Sequence, residues 1–359
     1  MPGDNKEDTQ QQDEDKMPTL PNGQIIAKRF KITQKLGEGG CGSVYKVEDV
    51  EDKNQQYAMK VEFAAADAGN VLKMEVQVLT LMASKKHVPR CVASGKKEAY
   101  QYMVMTLLGE SLDSIVKKHG PKLNVSSQMR IGISVLFGIK QIHDIGYIHR
   151  DLKPANVALG CKGSSDERYF LVLDFGLARQ YISEKQKQRV MRLPRDRALF
   201  RGTARYCSTT MHDRQEQGRV DDLWMLVYML AELRSRLPWQ DENDKVEIGE
   251  IKKVITDAEL FANSPIQMLE FVKIVRNTQF YQRPDYEKLF KVMDEVMRNA
   301  DYKWSDPYHW ESDAIKRKMN APKKLLKKCV PSTSKESAEG GGDAPYFTAE
   351  DFSSNPIGF

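Results

Sequence analysis

A carboxylate, a lysine and an amide stand close together in the segment His149–Asn156, which reads His-Arg-Asp-Leu-Lys-Pro-Ala-Asn. Asp151 can accept the proton of a hydroxyl group and orient that hydroxyl for attack. Lys153 can stabilise negative charge during a transfer, and Asn156 offers an amide oxygen to a metal ion. A generic turn can hold an Asp and an Asn, but it rarely holds this whole sequence. These three groups are suited to the transfer of an anionic group to a hydroxyl, and phosphoryl transfer is indicated only together with the motifs described next.

A second acidic group, Asp174 of an Asp-Phe-Gly triplet, follows the apolar strand pattern Tyr169–Leu173. Its carboxylate is suited to a Mg²⁺ ion that bridges phosphates. The triplet alone is common by chance, but here it stands 23 residues after Asp151. Asn156 and Asp174 are therefore the expected metal ligands.

Three glycines at the spacing Gly-x-Gly-x-x-Gly, namely Gly37, Gly39 and Gly42, lie upstream. Such a loop lets backbone N–H groups approach phosphates without interference from side chains. The spacing alone is weak evidence, because dinucleotide sites and ordinary turns share it. Strand patterns flank these glycines on both sides, whereas a dinucleotide site needs a strand followed by a helix. The pattern favours a phosphate cradle in a β-hairpin.

Lys60 lies in the apolar strand pattern Tyr57–Val61, eighteen residues beyond Gly42. A lysine there can reach nucleotide phosphates if a carboxylate holds it in place. Glu75, in the next helical pattern, is the expected partner. A surface lysine and a surface glutamate are the alternative, which the apolar neighbours of Lys60 disfavour.

The elements that must position these groups divide the chain into two lobes. Residues 28–106 alternate in strand fashion around one helical pattern, Asn70–Ala83, whereas helical patterns dominate residues 107–312. Ser111 is expected to cap a short helix, and Asp221–Leu233 is expected to be a buried helix. We predict an α+β protein with a small β-rich N-lobe and a larger helical C-lobe.

The two ends of the chain differ from this core. Residues 1–27 are polar and acidic, and residues 313–359 pass from a basic stretch into a stretch rich in Ser and Gly. Segments so poor in large apolar groups cannot offset their ordering entropy by burial. We therefore expect the N-terminal extension to be disordered and the C-terminal tail to be largely disordered.

Composition sets further limits. The chain has 359 residues, a net charge of +5 and five scattered cysteines, none at metal-ligand spacing. No apolar run reaches the eighteen or so residues of a membrane span, and the N-terminus has no apolar stretch typical of a signal peptide. We expect reduced thiols, a cytoplasmic location with the nucleus as a second one, and a monomer. Neither membrane insertion nor nucleic-acid binding is expected.

From about Phe30 to Ser312 the chain resembles eukaryotic protein kinases, and among them the casein kinase 1 superfamily. Four segments carry the resemblance to that superfamily: Leu107–Leu112, Arg201–Tyr206, Asp221–Trp224 and Leu237–Gln240. Three segments are most similar to the tau-tubulin kinase subgroup and its nematode relatives: Leu177–Tyr181, Phe200–Thr203 and Gly218–Asp222.

The resemblance implies a bilobal Ser/Thr kinase that binds ATP and Mg²⁺ between its lobes and acts on proteins. It implies five catalytic residues: Asp151, Lys153, Asn156, Lys60 and Glu75. Met105 would be the gatekeeper, and Asp222 would brace the catalytic loop from a buried helix. The implied nucleotide-binding residues are Leu36, Gly37, Gly39, Gly42, Val44, Ala58, Lys60, Met105, Thr106, Leu108, Ala158 and Asp174.

Two departures from the family pattern concern the activation segment. The Ala-Pro-Glu that usually closes it is absent, with Cys207–Thr210 nearby, which leaves Arg283 without its usual glutamate partner. Casein kinase 1 relatives also lack this motif, so its absence does not imply inactivity. Relatives hold a phosphate or acid upstream of the target with basic residues near Arg205 and beyond the Pro-Trp. Arg205 is present, but Gln240–Asp244 is acidic and Lys245 is the nearby candidate.

The activation segment itself is basic, and its cations are Lys185, Lys187, Arg189, Arg192, Arg195, Arg197, Arg201 and Arg205. We expect Arg205, Arg201 and Lys245 to select acidic or phosphorylated protein substrates, and a merely solvated loop is the alternative.

Two other functions of the protein remain open. A pseudokinase scaffold would need a lost catalytic residue, and none is missing from the motifs. A small-molecule kinase is disfavoured by the long segment from Asp174 to Thr210.

Overall fold

The structure is a computed structural model that describes residues 19–39, 42–63, 71–185, 188–311 and 346–359. The expectation of disorder for residues 1–18 and for the tail up to residue 345 lies outside the described residues. For residues 19–27 it is wrong, because Ile25–Ile26 pairs with Phe30–Lys31 and Ile26 is buried in the core of the N-lobe. Within the described ranges, no helix combines the length and the apolar character needed to cross a membrane.

The described part of the N-lobe is an antiparallel sheet with one helix packed on it. Its strands are β1 (Ile25–Ile26), β2 (Phe30–Gly39), β3 (Gly42–Asp49), β4 (Gln56–Phe63), β5 (Cys91–Lys96) and β6 (Tyr100–Thr106), in the order β1-β2-β3-β4-β6-β5. Helix α1 (Val71–Leu81) lies between β4 and β5 in the chain. Alternate residues of β3 are buried, so Tyr45 and Val47 join Met59 and Val61 in the core of this lobe.

The C-lobe is mainly helical, as expected. Its helices are α2 (Leu112–His119), α3 (Val125–Asp144), α4 (Thr209–His212), α5 (Arg219–Glu232), α6 (Lys245–Val254), α7 (Asp257–Leu260), α8 (Met268–Asn277) and α9 (Tyr286–Asn299). Short strands form three antiparallel pairs: β7 (Tyr147–Ile148) with β10 (Arg179–Gln180), β8 (Val157–Leu159) with β9 (Phe170–Val172), and β11 (Ile182–Lys185) with β12 (Gln188–Met191). Ser111 caps α2 by accepting a hydrogen bond from the backbone N–H of Ser114. Helix α5 is buried almost throughout.

The end of the chain departs from the expected disorder. Residues 346–359, here named the C-terminal strap, contain a short helix α10 (Ala349–Ser353) and pack on the C-lobe. Phe352 is fully buried, and its ring stacks on Phe290 with centroids 4.6 Å apart. Ser354 accepts a hydrogen bond of 2.7 Å from the buried Lys140. Two aromatic anchors, Phe347 and Phe352, thus bury enough apolar surface to order a segment whose average composition is polar.

Candidate active site

A cleft of about 860 Å³ lies between the lobes. Every residue that the resemblance implies for nucleotide binding lines it, and so do Glu75, Asp151, Lys153 and Asn156. On one wall, the buried Ala58 and Leu107 pack with Val44 and Met105. The cleft is therefore apolar toward the strand β6 that leads out of the N-lobe and polar toward the catalytic loop, which suits a planar base joined to phosphates.

The three glycines of the hairpin formed by β2 and β3 have different surroundings. Gly42 has a φ of +130°, and a Cβ atom there would lie 2.0 Å from the carbonyl oxygen of Val61, so the fold itself requires glycine. A Cβ atom at Gly37 or Gly39 would meet no atom within 4 Å. These two glycines border open space in the cleft, and that space could hold phosphates close to the backbone.

Lys60 on β4 lies between two carboxylates. Its ammonium donates to Glu75 Oε2 at 2.6 Å and to Asp174 Oδ1 at 3.2 Å. Burial opposes the charge of Lys60, but attraction to the two carboxylates outweighs it, so the pKa of Lys60 is raised above its ordinary value. The lysine therefore stays cationic, and the structure brings Lys60 and Glu75 together as the sequence predicted.

Asp151 is nearly buried and is held by its own catalytic loop. Lys153 donates to Asp151 Oδ2 at 2.7 Å, and Asn156 Nδ2 donates to the Asp151 backbone carbonyl at 2.9 Å. Because the amide nitrogen of Asn156 serves the loop, its carbonyl oxygen is the atom left for a cation. Arg150, just before, has a φ of +70°, a backbone conformation that non-glycine residues adopt only where the surroundings enforce it.

The catalytic loop is braced from the buried helix α5. Asp222 accepts hydrogen bonds from the backbone N–H of His149 at 2.7 Å and of Arg150 at 2.8 Å. Nε2 of the buried His143 lies 2.8 Å from Asp222 Oδ2. Burial opposes the ionised form of Asp222, but the hydrogen bond with His143 and these backbone donors outweigh it and lower its pKa. Sequence reasoning found Asp222 and missed His143, which ends an apolar helical pattern and looks there like a capping residue.

A threonine of the activation segment completes the surroundings of Asp151. Thr203 Oγ1 donates to Asp151 Oδ1 at 2.7 Å, and Lys153 Nζ lies 3.2 Å from the same hydroxyl. Gly202 makes this approach possible, because a Cβ atom there would lie 2.5 Å from the carbonyl oxygen of Arg150. The sequence contained Thr203 only as part of a family marker, so its contact with the base was not predicted.

The two expected metal ligands suit Mg²⁺ in their chemistry. Asp174 has a φ of +62°, its side chain is 45% exposed, and its carboxylate lines the same cleft as Asn156. Burial opposes ionisation of Asp174, but attraction to Lys60 outweighs it and lowers its pKa. Among the described residues, no cluster of three or more His, Cys, Asp or Glu side chains could hold a metal by itself. One carboxylate and one amide match a hard cation whose remaining ligands come from phosphates and water.

The basic activation segment carries its own counter-charge. The buried Glu216 pairs with Arg195 and lies 3.3 Å from Arg179 Nε. Arg150 lies close to the same cluster. Burial and repulsion by Arg179 lower the pKa of Arg150 to about 10, and attraction to Glu216 opposes this shift. Glu216 was not predicted, because in sequence it lies in an unremarkable polar turn. It neutralises part of the positive charge that was expected to attract substrates.

The three residues expected to recognise substrates stand in different surroundings. Arg205 donates to the carbonyl of Gln240 at 3.1 Å and lies 3.8 Å from Glu232. Lys245 lies over the ring of Phe200, 5.0 Å from its centroid, and Arg201 is exposed. Arg201 and Lys245 are both exposed, whereas Arg205 is partly engaged within the protein. Lys187 and the side chain of Lys185 lie outside the described residues.

Arg283 does not lack a partner. Its guanidinium donates to the carbonyl oxygen of Ser354 in the C-terminal strap at 2.7 Å, and it lies over the ring of Tyr286. The end of the activation segment is anchored separately, because Ser208 Oγ donates to the buried Asp221 at 2.5 Å. Burial raises the pKa of Asp221 to about 6. Separate contacts thus replace the missing glutamate–arginine pair: Arg283 binds the C-terminal strap, and Ser208 anchors the end of the activation segment to Asp221.

Comparisons with known proteins agree with this geometry. A model of the protein kinase domain matches residues 30–330. The chain is 63% identical to a Caenorhabditis elegans protein named "Putative serine/threonine-protein kinase", over the whole of both chains. It is 33% identical to another protein of that organism, named "Putative casein kinase I", over 83% of this chain and 87% of the relative. A third, named "Inactive tau-tubulin kinase", is 33% identical over 63% of this chain and 81% of the relative. The chain belongs to the protein kinase family and, within it, to the casein kinase 1 superfamily, with relatives of the tau-tubulin kinase type.

Proposed function

We propose that this protein is an active Ser/Thr kinase that transfers the γ-phosphoryl group of Mg·ATP to hydroxyl groups of proteins. The observation that carries the proposal is the arrangement of Asp151, Lys153 and Asn156 in one cleft with Lys60 and Asp174. The contacts of these residues agree with their proposed roles. A cleft that only bound a nucleotide would not need an oriented carboxylate opposite the phosphate cradle.

The residues divide the work as follows. Asp151 orients the substrate hydroxyl and accepts its proton while the bond from that oxygen to phosphorus forms and the bond to the ADP oxygen breaks. Lys153, bound to Asp151, offsets charge on the transferring group, and Lys60 holds the inner phosphates with Glu75 as its support. Asn156 and Asp174 would hold Mg²⁺, which supplies positive charge against the phosphates when bound.

A scaffold without catalytic activity is the second candidate, because one relative is named an inactive kinase. Against this candidate, no catalytic residue of the motifs is replaced in this chain. The hydrogen bonds that Lys153 and Thr203 donate to Asp151 support a site built for more than nucleotide binding. A small-molecule kinase is a third possibility, and the exposed basic activation segment argues for a protein acceptor.

One assay separates these functions. ATP binding is measured with and without Mg²⁺, and phosphate transfer is measured to casein and to a set of small alcohols. The proposal requires Mg²⁺-dependent transfer to casein. Binding without transfer would favour the scaffold, and transfer to small alcohols alone would favour the small-molecule kinase.

We further propose a mild preference for Ser or Thr with an acidic or phosphorylated residue a few positions upstream. Arg201 is exposed and directly precedes Gly202, which lies against Asp151. However, Glu232 engages Arg205, and the stretch Asp241–Asp244 is acidic. An arginine should prefer a phosphate to a single carboxylate, and the preference should weaken as salt is raised.

A peptide array at two salt concentrations tests this preference, with Arg201→Ala compared with the wild type. Equal or faster transfer to peptides with upstream Lys or Arg would contradict it. Unchanged peptide selectivity in Arg201→Ala would show that Arg201 does not recognise the substrate.

A further inference from the structure

Lys252, on α6, has a buried ammonium group. Only 6% of the residue is exposed, and its Nζ donates to the carbonyl oxygens of Ala204 at 2.7 Å and Cys207 at 2.6 Å. The next residue, Lys253, points to the surface and pairs with Asp213 and Glu250. Two adjacent lysines of one helix therefore have opposite surroundings.

The surroundings of Lys252 are unusual for a buried cation. Its Nζ lies 4.6 Å from the ring centroid of Tyr228, 5.1 Å from that of Trp239 and 3.4 Å from His212 Nε2. No ion pair joins Lys252 to a carboxylate anywhere in the ranges that the structure describes. Backbone carbonyls and aromatic faces thus take the place of a counter-ion. Burying a charge without a carboxylate opposes folding, so fold stability alone does not account for a cation at this position.

The backbone that Lys252 holds is the part of the activation segment directly after Thr203. The N–H groups of Tyr206 and Cys207 both donate to the carbonyl oxygen of Thr203 at 3.0 Å. Lys252 binds the same turn through the carbonyl oxygens of Ala204 and Cys207. A displacement of this turn would move the Thr203 hydroxyl, which donates to Asp151 at 2.7 Å.

We propose that Lys252 is a positioning residue for phosphoryl transfer, which anchors Ala204–Cys207 and thereby holds Thr203 against Asp151. The proposal rests on the proposed kinase function. It also accounts for how this chain fixes the end of its activation segment without the usual glutamate–arginine pair, since Arg283 binds the C-terminal strap. A cation can serve two carbonyl groups at once, which a neutral aliphatic side chain of the same length cannot.

Lys252→Met in the full-length protein is the test, because methionine preserves much of the aliphatic stem, and Lys253→Met is its matched control. We expect Lys252→Met to lower kcat for a protein substrate by about tenfold or more, with the KM for ATP within about twofold of wild type. The melting temperature of Lys252→Met should stay close to that of the wild type, so that unfolding does not explain the loss of kcat. Backbone hydrogen exchange should become faster at residues 203–208 and remain unchanged in the N-lobe. Lys253→Met should match the wild type in all four measurements.

Two results would overturn the proposal. One is wild-type turnover in Lys252→Met, and the other is an equal loss in Lys253→Met. If Lys252→Met does not fold, Lys252→Gln replaces it, since its amide falls one bond short of the ammonium position. The proposal then requires at least about threefold lower turnover and faster exchange at 203–208, and wild-type values contradict it. Hydrogen exchange needs no activity, so it tests the anchor even if the wild-type protein transfers no phosphate.

Discussion

The hydroxyl group of Thr203 donates a hydrogen bond of 2.7 Å to one oxygen of Asp151, and Lys153 donates to the other oxygen at the same distance. The proposed base is therefore oriented from two directions, by its own loop and by the activation segment. These two donors leave the carboxylate one principal orientation. Activity should thus depend on the position of the activation segment as well as on the catalytic loop.

Thr203→Val should lower kcat by roughly tenfold to a hundredfold, which corresponds to the loss of one hydrogen bond to a charged group. Valine keeps the shape of threonine but cannot donate to Asp151. ATP affinity should stay near the wild-type value, because Thr203 does not line the nucleotide end of the cleft. Steady-state kinetics with a casein substrate measure both quantities, and Thr203→Ser is the control that keeps the hydroxyl. Wild-type kcat in the valine variant would show that this contact does not orient the base.

Lys60→Met should abolish transfer while the fold is kept, since methionine fits the stem but leaves Glu75 and Asp174 without their shared cation. Circular dichroism checks the fold, and transfer to casein checks activity. The pair formed by the exposed Lys291 with Glu287 on α9, away from the cleft, offers a control, in which Lys291→Met should leave transfer unchanged. Substantial phosphate transfer by Lys60→Met would show that Lys60 is not required for catalysis.

Asp174→Ala should uncouple nucleotide binding from Mg²⁺, because it removes the one carboxylate among the two proposed metal ligands. Titration calorimetry with ATP, with and without Mg²⁺, measures the coupling. The wild type should bind ATP more tightly with the metal, and the variant should show little difference. A variant that retains the full effect of Mg²⁺ would place the metal elsewhere.

Lys252 should give the protein a distinctive alkaline pH dependence. Burial lowers the pKa of Lys252 to about 8 from its ordinary 10.5. Between these pH values the unfolded chain holds this proton and the folded chain does not, so this group raises the free energy of unfolding as the pH rises. The same loss of charge weakens the hold on Ala204 and Cys207, so turnover should fall. Among the groups that face it, burial raises the pKa of Cys207 to about 11, raises that of Tyr228 and lowers that of His212, so none of them titrates in this window.

Chemical denaturation and kcat, both measured between pH 7 and pH 10, test this dependence. In the wild type the two contributions should have opposite signs, with stability rising and turnover falling. Both should be absent from Lys252→Met. An identical alkaline profile in that variant would assign the dependence to another group.

Phe352→Ala should release the C-terminal strap without unfolding the domain. The strap is a short segment that packs on the finished C-lobe and can detach locally. The loss of global stability should therefore stay below the 3–5 kcal/mol typical of a core Phe→Ala change. Hydrogen exchange of residues 346–359 should become fast, and Ser353→Ala, at an exposed neighbouring position, should leave it slow. Unchanged protection of the strap in Phe352→Ala would contradict the packing role of this ring.

The sequence predicted the bilobal fold and the lining of the cleft because these depend on local patterns and on motifs of fixed spacing. It could not predict contacts that depend on how distant elements meet. Thr203 reaches Asp151 across 52 positions, and Lys252 reaches Cys207 across 45. The strap was missed for a related reason, since its averaged composition hides Phe347 and Phe352, whose burial depends on a surface formed by other helices.

The most direct test of the central claim is transfer of the γ-phosphoryl group of Mg·ATP to casein, compared between the wild type and Asp151→Asn. Asparagine keeps the size of Asp151 but removes the carboxylate that orients the hydroxyl and accepts its proton. The account predicts measurable transfer by the wild type and a rate lower by about a hundredfold or more in the variant, with ATP binding retained. Equal rates in the two proteins, or no transfer by the wild type, would contradict it.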